Sequence, residues 1–178
     1  VNVSPQGVAF IGAFEGFRAN WYDDGTGVKT IGYGHTGPLP PGYKAPLTQA
    51  EGARLLLHDL APFAAHVNSI PPVPGGLTQA QFDALCSACY NLGDEPLTAG
   101  HSLFVAVESK PRLPWPLNVI PLRNWRARVR YALDLYVNAG GHELAGLVRR
   151  RNAEGFEGFA PDGKPHYTVA QGNPYANA

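Results

Sequence analysis

Three residues near the start of the chain have types and spacing suited to acid–base chemistry: Glu15, Asp24 after eight intervening residues, and Thr30 after five more. Glu15 falls at the carboxyl end of a predicted helix, where unpaired carbonyls and the helix dipole disfavour negative charge. Phe14, Phe17 and Trp21 can also exclude water there, and both effects favour a protonated carboxyl. Such a group is what a general acid must be to protonate a glycosidic oxygen. Asp24 lies in the turn Asp23-Asp24-Gly25-Thr26-Gly27, polar and solvated, and is expected to stay ionised. Two carboxyls in contrasting environments form an acid/base pair. In the strand that follows, a period of two places Thr30, Gly32 and Gly34 on one face and Ile31, Tyr33 and His35 on the other. A face stripped of side chains reads as a floor for a flat, extended ligand.

The elements that must position these groups are legible from caps and periodicity. Ser4-Pro5 is a helix N-cap followed by proline, and Val8, Ile11 and Phe14 recur at helical spacing, so a first helix ends near Glu15 or Gly16. Trp21-Tyr22 and residues 28–35 flank the Asp-Gly turn as a small β-hairpin. Capping boxes at Thr48-Gln49-Ala50-Glu51 and Thr78-Gln79-Ala80-Gln81 open two further helices. The first is restarted or kinked at Pro62 and runs out near Ser69; the second is closed by Gly93. Residues 109–121 hold four prolines and Trp115 and read as a long loop. Asn124 caps a predicted helix over 125–138, Gly140-Gly141 stops it, and a last helix covers about 144–154. Cys86 and Cys89 have C-x-x-C spacing but no second ligand pair, and read as small apolar groups on a buried helix face.

With 178 residues, 44% of them hydrophobic, the chain can bury a sizeable core. Fourteen Lys and Arg balance fourteen Asp and Glu, so no overall field draws it to nucleic acid or an anionic membrane. The charge is unevenly spread: residues 104–151 carry nine Lys and Arg against three Asp and Glu. No apolar run reaches the roughly 18–20 residues of a membrane span, and no signal peptide opens the chain, so a soluble protein is expected. The absence of Met, even at position 1, fits a processed amino terminus or a domain cut from a longer chain.

The Glu15, Asp24, Thr30 spacing running into "TIGYGHT" resembles the catalytic signature of the phage-type lysozymes, glycoside hydrolase family 24. "LTQAEGARLLLHDL", "LTQAQFDALCSACYNLG" and "AGGHELAGLVRRRNAE" resemble that family's later helices, in order, so the likeness covers about residues 5–93 and 131–156. The resemblance implies an α+β, mainly helical, two-lobed fold with a small amino-proximal hairpin and an interlobe cleft. One lysozyme domain would span 1–178, with residues 14–69 as hairpin lobe and linking helix and residues 1–13 and 70–178 as the helical lobe. It implies a muramidase that cuts the β-1,4 bond between N-acetylmuramic acid and N-acetylglucosamine in peptidoglycan. Glu15 would be the general acid, with Asp24 and Thr30 holding the attacking water in an inverting reaction. That outcome needs carboxyls about 6.5–9.5 Å apart.

The family also places an Arg beside the catalytic Glu, for which spacing in "GLVRRRNAE" favours Arg150, with Arg149 and Arg151 as surface charges. His35 and Asp83 resemble a pair that ties the hairpin to a core helix. Gly32, Tyr33, Gly34 and Trp115 are the candidate substrate contacts; Trp125 shares the stacking reading with Trp115. His58, His66, His101, His142 and His166 show no partner pattern and receive no role. The sequence departs from the family over about 97–130, where it is proline-rich and basic: an added groove wall, or a rigid insertion with a solvated basic face. No cofactor or metal is implied. The implied partner is the peptidoglycan glycan strand, met by a monomer in the periplasm or on the outer wall, after a stay in the host cytoplasm for a phage endolysin. A lytic transglycosylase on the same polymer, or a catalytically silent wall-binding or virion module, are the rival readings.

Overall fold

A computed structural model describes residues 1–23, 25, 27–110 and 119–164. The first helix, α1 (Pro5–Glu15), starts where Ser4 Oγ accepts the Gly7 N–H, with Pro5 in the first turn where no donor is needed. It stops at Gly16, whose φ of 70° is left-handed. Glu15 is thereby placed at the helix end that the sequence implies.

The chain then forms three short antiparallel strands in the order β1 (Arg18–Asp23), β2 (Lys29–Gly32) and β3 (His35–Thr36). Tyr22 faces Thr30 and Asp23 faces Lys29 across β1 and β2, with an irregularity between Arg18 and Tyr22. Asp23 Oδ1 accepts the N–H groups of Gly25 and Gly27, which closes the first turn. The expected single strand over 28–35 is instead two. Gly32 and Gly34 have φ of 66° and 99°, so the chain reverses around Tyr33 and returns with His35 opposite Ile31. A period of two cannot cross that turn, and the expected common face of Thr30, Gly32 and Gly34 does not form.

Both capping boxes are present, at Thr48/Glu51 before α2 (Gln49–Asp59) and at Thr78/Gln81 before α4 (Gln79–Leu92). Pro62 lies in the first turn of α3 (Ala61–Ser69), which restarts the helix after Leu60, and Gly93 closes α4. After a 3-10 turn (Glu95–Leu97) come α5 (Ser102–Glu108), α6 (Val119–Asp134), a minimal hairpin of β4 (Asn138–Ala139) and β5 (His142–Glu143), and α7 (Ala145–Phe159). The sequence reading misses α5 and the second hairpin, starts α6 too late and ends α7 too early. Asn124 is inside α6 rather than its cap.

Two apolar cores result. Ile31, Leu47 and Leu55 form a small one under the sheet. The larger one gathers Phe10, Ile11, Leu56, Leu60, Leu85, Leu103, Trp125, Val129 and Phe159. Each large buried side chain there contributes roughly 1.5–3 kcal/mol of transfer free energy. Ala80 to Cys89 of α4 are buried without interruption, so that helix is the axis on which α1, α3 and α7 pack. Cys86 and Cys89 are free, buried thiols; burial raises both, Cys89 to about 12, and they serve as packing groups. Leu55 belongs to the small core and Leu56 to the large one, so α2 joins the two and the cleft lies where sheet, α2–α3 junction and α4 meet.

Candidate active site

A cleft of about 560 Å³ is lined by Glu15, Gly34, His35, Thr36, His58, Asp59, Pro62, Phe63, Tyr90 and Asn91. Glu15 enters it from the last residue of α1 with its side chain about one-fifth exposed. Its Oε1 accepts a 2.6 Å charge-assisted bond from Arg150 Nη1. A methyl group placed on Gly34 would lie 3.9 Å from Oε2, so the second oxygen opens toward the turn that carries no side chain. Arg150 is buried: Nη2 reaches Ser87 O at 3.2 Å, Nε reaches Glu154 Oε1 at 3.2 Å, and the guanidinium sits 5.4 Å from the Phe14 ring centre. One face of the Arg is thus anchored in α4 and α7, and only Nη1 is committed to Glu15.

The opposite wall of the site is set by Tyr90, whose hydroxyl donates to Tyr33 O at 3.0 Å and so pins the 32–34 turn beside Glu15. Burial, then the nearby Glu15 charge, pushes the Tyr90 phenol well up, which keeps it a donor at all working pH. Phe63 packs edge-on against it at 5.5 Å. Thr30 is buried, and its Oγ1 donates to Val28 O at 3.3 Å, leaving oxygen lone pairs free to accept from water. Its partner across β2 and β3 is Thr36, which lines the cleft. Cross-strand partners share a face, and Thr30 lies beneath the sheet surface next to that wall.

With this geometry in place, the sequence profile described as Phage lysozyme matches residues 12–154. The chain belongs to the phage lysozyme family. An endolysin of Acyrthosiphon pisum secondary endosymbiont phage 1 is 32% identical over 154 residues, which cover 86% of this chain and 95% of that one. Among solved structures, the muramidase domain of SpmX from Asticaccaulis excentricus superposes with a TM-score of 0.66 at 31% identity, covering 86% of this chain and 95% of that chain. P22 lysozyme does so with 0.69 at 28% identity, covering 87% and 96%. The fold is the mainly helical lysozyme fold, and the protein is a lysozyme-type glycoside hydrolase.

Of the residues singled out in the sequence, the fold brings Glu15, Gly34 and His35 to this lysozyme cleft and sets Arg150 behind Glu15. Asp24 and Trp115 lie outside the described residues. Other expectations are corrected. His35 does not pair with Asp83: its Nδ1 sits 2.9 and 3.0 Å from the two oxygens of Asp59, at the end of α2. Asp83 is already taken by the Ser4 N–H and hydroxyl and by Gln79 Nε2, and it fastens the start of α1 to α4. Gly32 faces Leu47 and Leu55 of the small core rather than the cleft, while the half-buried Tyr33 ring packs on Phe17 at 5.3 Å. Trp125 is fully buried, stacked edge-on with Phe159 and donating from Nε1 to Ala106 O, which removes it as a sugar platform.

Arg151, read as a surface charge, is fully buried against Glu154. Asp59, His58, Tyr90, Ser87 and Glu154 were not recognised as part of the site. Glu154 stands four residues after Arg150 and three after Arg151, a helical ion-pair spacing visible in the sequence. The others carry no local signal. Among the described residues no group of His, Cys, Asp and Glu has metal-binding geometry, and no helix is long and apolar enough to cross a membrane.

Proposed function

We propose that this protein is a muramidase that hydrolyses the β-1,4 bond between N-acetylmuramic acid and N-acetylglucosamine in the bacterial cell wall. The observation that carries the reading is Glu15, with one oxygen held by Arg150 and the other open to the cleft beside side-chain-free Gly34. In this reading Glu15, protonated in the enzyme–substrate complex, donates from Oε2 to the leaving glycosidic oxygen. Asp24 and the Thr30 hydroxyl position a water on the opposite face of the sugar, and the anomeric configuration inverts. The Tyr90–Tyr33 bond holds Gly34 where the glycan must pass close to backbone. Residues 14–69 act as the lobe carrying the water-side groups, and residues 1–13 and 70–178 as the lobe carrying Arg150. A carboxyl pair and water supply the whole reaction, so no cofactor is required. The partner is a peptidoglycan glycan strand, met as a monomer at the cell wall.

The test is mass spectrometry of soluble products from purified peptidoglycan digested by the wild type and by Glu15→Gln. Reducing muramic-acid ends from the wild type, with activity lowered by about 10²–10⁴ in the variant, support the proposal. Anhydro-muramyl ends would convert the reading to a lytic transglycosylase. Absence of cleavage by correctly folded wild type would leave a wall-binding module.

A further inference from the structure

Behind Arg150 lies a closed set of charges that the reaction itself does not use. Glu154 is fully buried on α7. Its Oε1 accepts from Arg150 Nε at 3.2 Å, Arg151 Nη2 at 2.8 Å and Ser87 Oγ at 2.6 Å, while Oε2 lies 2.8 Å from Arg151 Nε. Arg151 is also fully buried. With Glu15 ionised, two guanidinium groups and two carboxylates cancel; with Glu15 protonated, one positive charge is left over. Other titratable groups surround that set. From α4 come Ser87, the thiol of Cys89 and the phenol of Tyr90, both pushed up and neutral, with Asp83 further along. From α7 comes Glu157, kept protonated up to about pH 9 by burial. Asp59, His35 and His58 line the cleft with Glu15, and Arg130 and Asp134 of α6 share a recess with Arg151, the Arg130 guanidinium lying over the Phe156 ring; these groups are common to all the variants compared below.

We infer that Glu154 is a positioning residue for the acid catalyst: it holds Arg150 against Glu15 and, together with Arg151, sets how much positive charge Glu15 feels. The inference rests on Glu15 being the general acid. A carboxylate shared by two buried guanidinium groups fixes the Arg150 fork on one side, so that Nη1 can reach Glu15 in a single direction. Because the group is buried, solvent screens these charges weakly, and altering either one reaches Glu15 as a field. Glu154→Gln keeps an acceptor oxygen for Arg150 and Ser87 but removes the negative charge, which favours the ionised form of Glu15. Arg151→Gln removes a positive charge and favours the protonated form.

The experiment is the pH profile of kcat/KM on purified peptidoglycan for the wild type, Glu154→Gln and Arg151→Gln, with Glu15→Gln as control. The alkaline limb, where the acid is lost, is expected to move to lower pH in Glu154→Gln and to higher pH in Arg151→Gln. Each displacement should be about one pH unit, the effect of a unit charge at roughly 10 Å and an effective dielectric of about 20. Glu154→Gln activity should recover when assayed at lower pH. Unmoved limbs in folded variants, or limbs that move in the same direction, would reduce Glu154 to a structural role and overturn the inference. If Glu154→Gln does not fold, the direction of the Arg151→Gln shift decides alone. Retained activity in Glu15→Gln would instead overturn the general-acid reading, a separate outcome read from the control.

Discussion

Glu157 offers a sharp test of the buried electrostatics. It lies on α7, fully buried, and neither carboxyl oxygen has a hydrogen-bond partner among the described residues. Burial first, then the charges of Asp83 and Glu154, push its carboxyl up to about 9 from an ordinary 4.5. The folded state therefore keeps the proton through the whole interval in which the unfolded chain has released it. Stability from this group is fully present below about pH 4.5 and is lost as pH rises toward 9, because the native state binds the extra proton. Each pH unit in that window is worth about 1.4 kcal/mol, so by pH 7 the loss is about 3 kcal/mol, a large part of a typical folding free energy. Glu157→Gln has nearly the same shape and no proton to lose. Urea denaturation at a series of pH values should show the two proteins converging at the acid end and the variant gaining about 3 kcal/mol on the wild type by pH 7. All other titrating groups are common to both proteins, so the difference isolates this one. Parallel stability curves across the window would refute the argument.

Two further predictions concern the cleft walls. A methyl at Gly34 would meet Tyr90 Oη at 3.2 Å in a backbone with φ of 99°, so Gly34→Ala should lower kcat by at least about tenfold, roughly 1.4 kcal/mol. Adding Tyr90→Phe removes the contact but also the bond to Tyr33 O that pins the turn, and it leaves the backbone strain, so steady-state rates should stay below wild type; full recovery would rule out both strain and that bond as causes. A thermodynamic double-mutant cycle by urea denaturation should couple His35→Asn to Asp59→Asn by about 1–3 kcal/mol and leave His35→Asn additive with Asp83→Asn. Coupling to Asp83 instead would reject the pairing seen at the α2 terminus.

The features that local chemistry controls were legible in the chain. Ser4-Pro5, the capping boxes at Thr48 and Thr78, Pro62 and Gly93 satisfy or interrupt backbone hydrogen bonds within a few residues of themselves, so the positions of α1 to α4 follow from neighbours alone. The same holds for Glu15 at a helix end. The family resemblance implies an Arg beside Glu15 and spacing favours Arg150, which the fold places 2.6 Å from Glu15 across 135 positions of sequence. Other choices depended on what approaches from elsewhere. Asp59 and Asp83 are both helix aspartates, and His35 takes the first because Ser4 and Gln79 occupy the second. Three arginines in a row look alike, yet helical rotation sends Arg150 toward Glu15 and Arg151 into the interior against Glu154. Trp125 looked like a ligand platform until Phe159 and the Ala106 carbonyl enclosed it. Caps and turns are short-range and were determined by the sequence itself. Partner choice among identical side chains was decided by tertiary packing, because burial and competition for a hydrogen-bonding group exist only once distant elements have met.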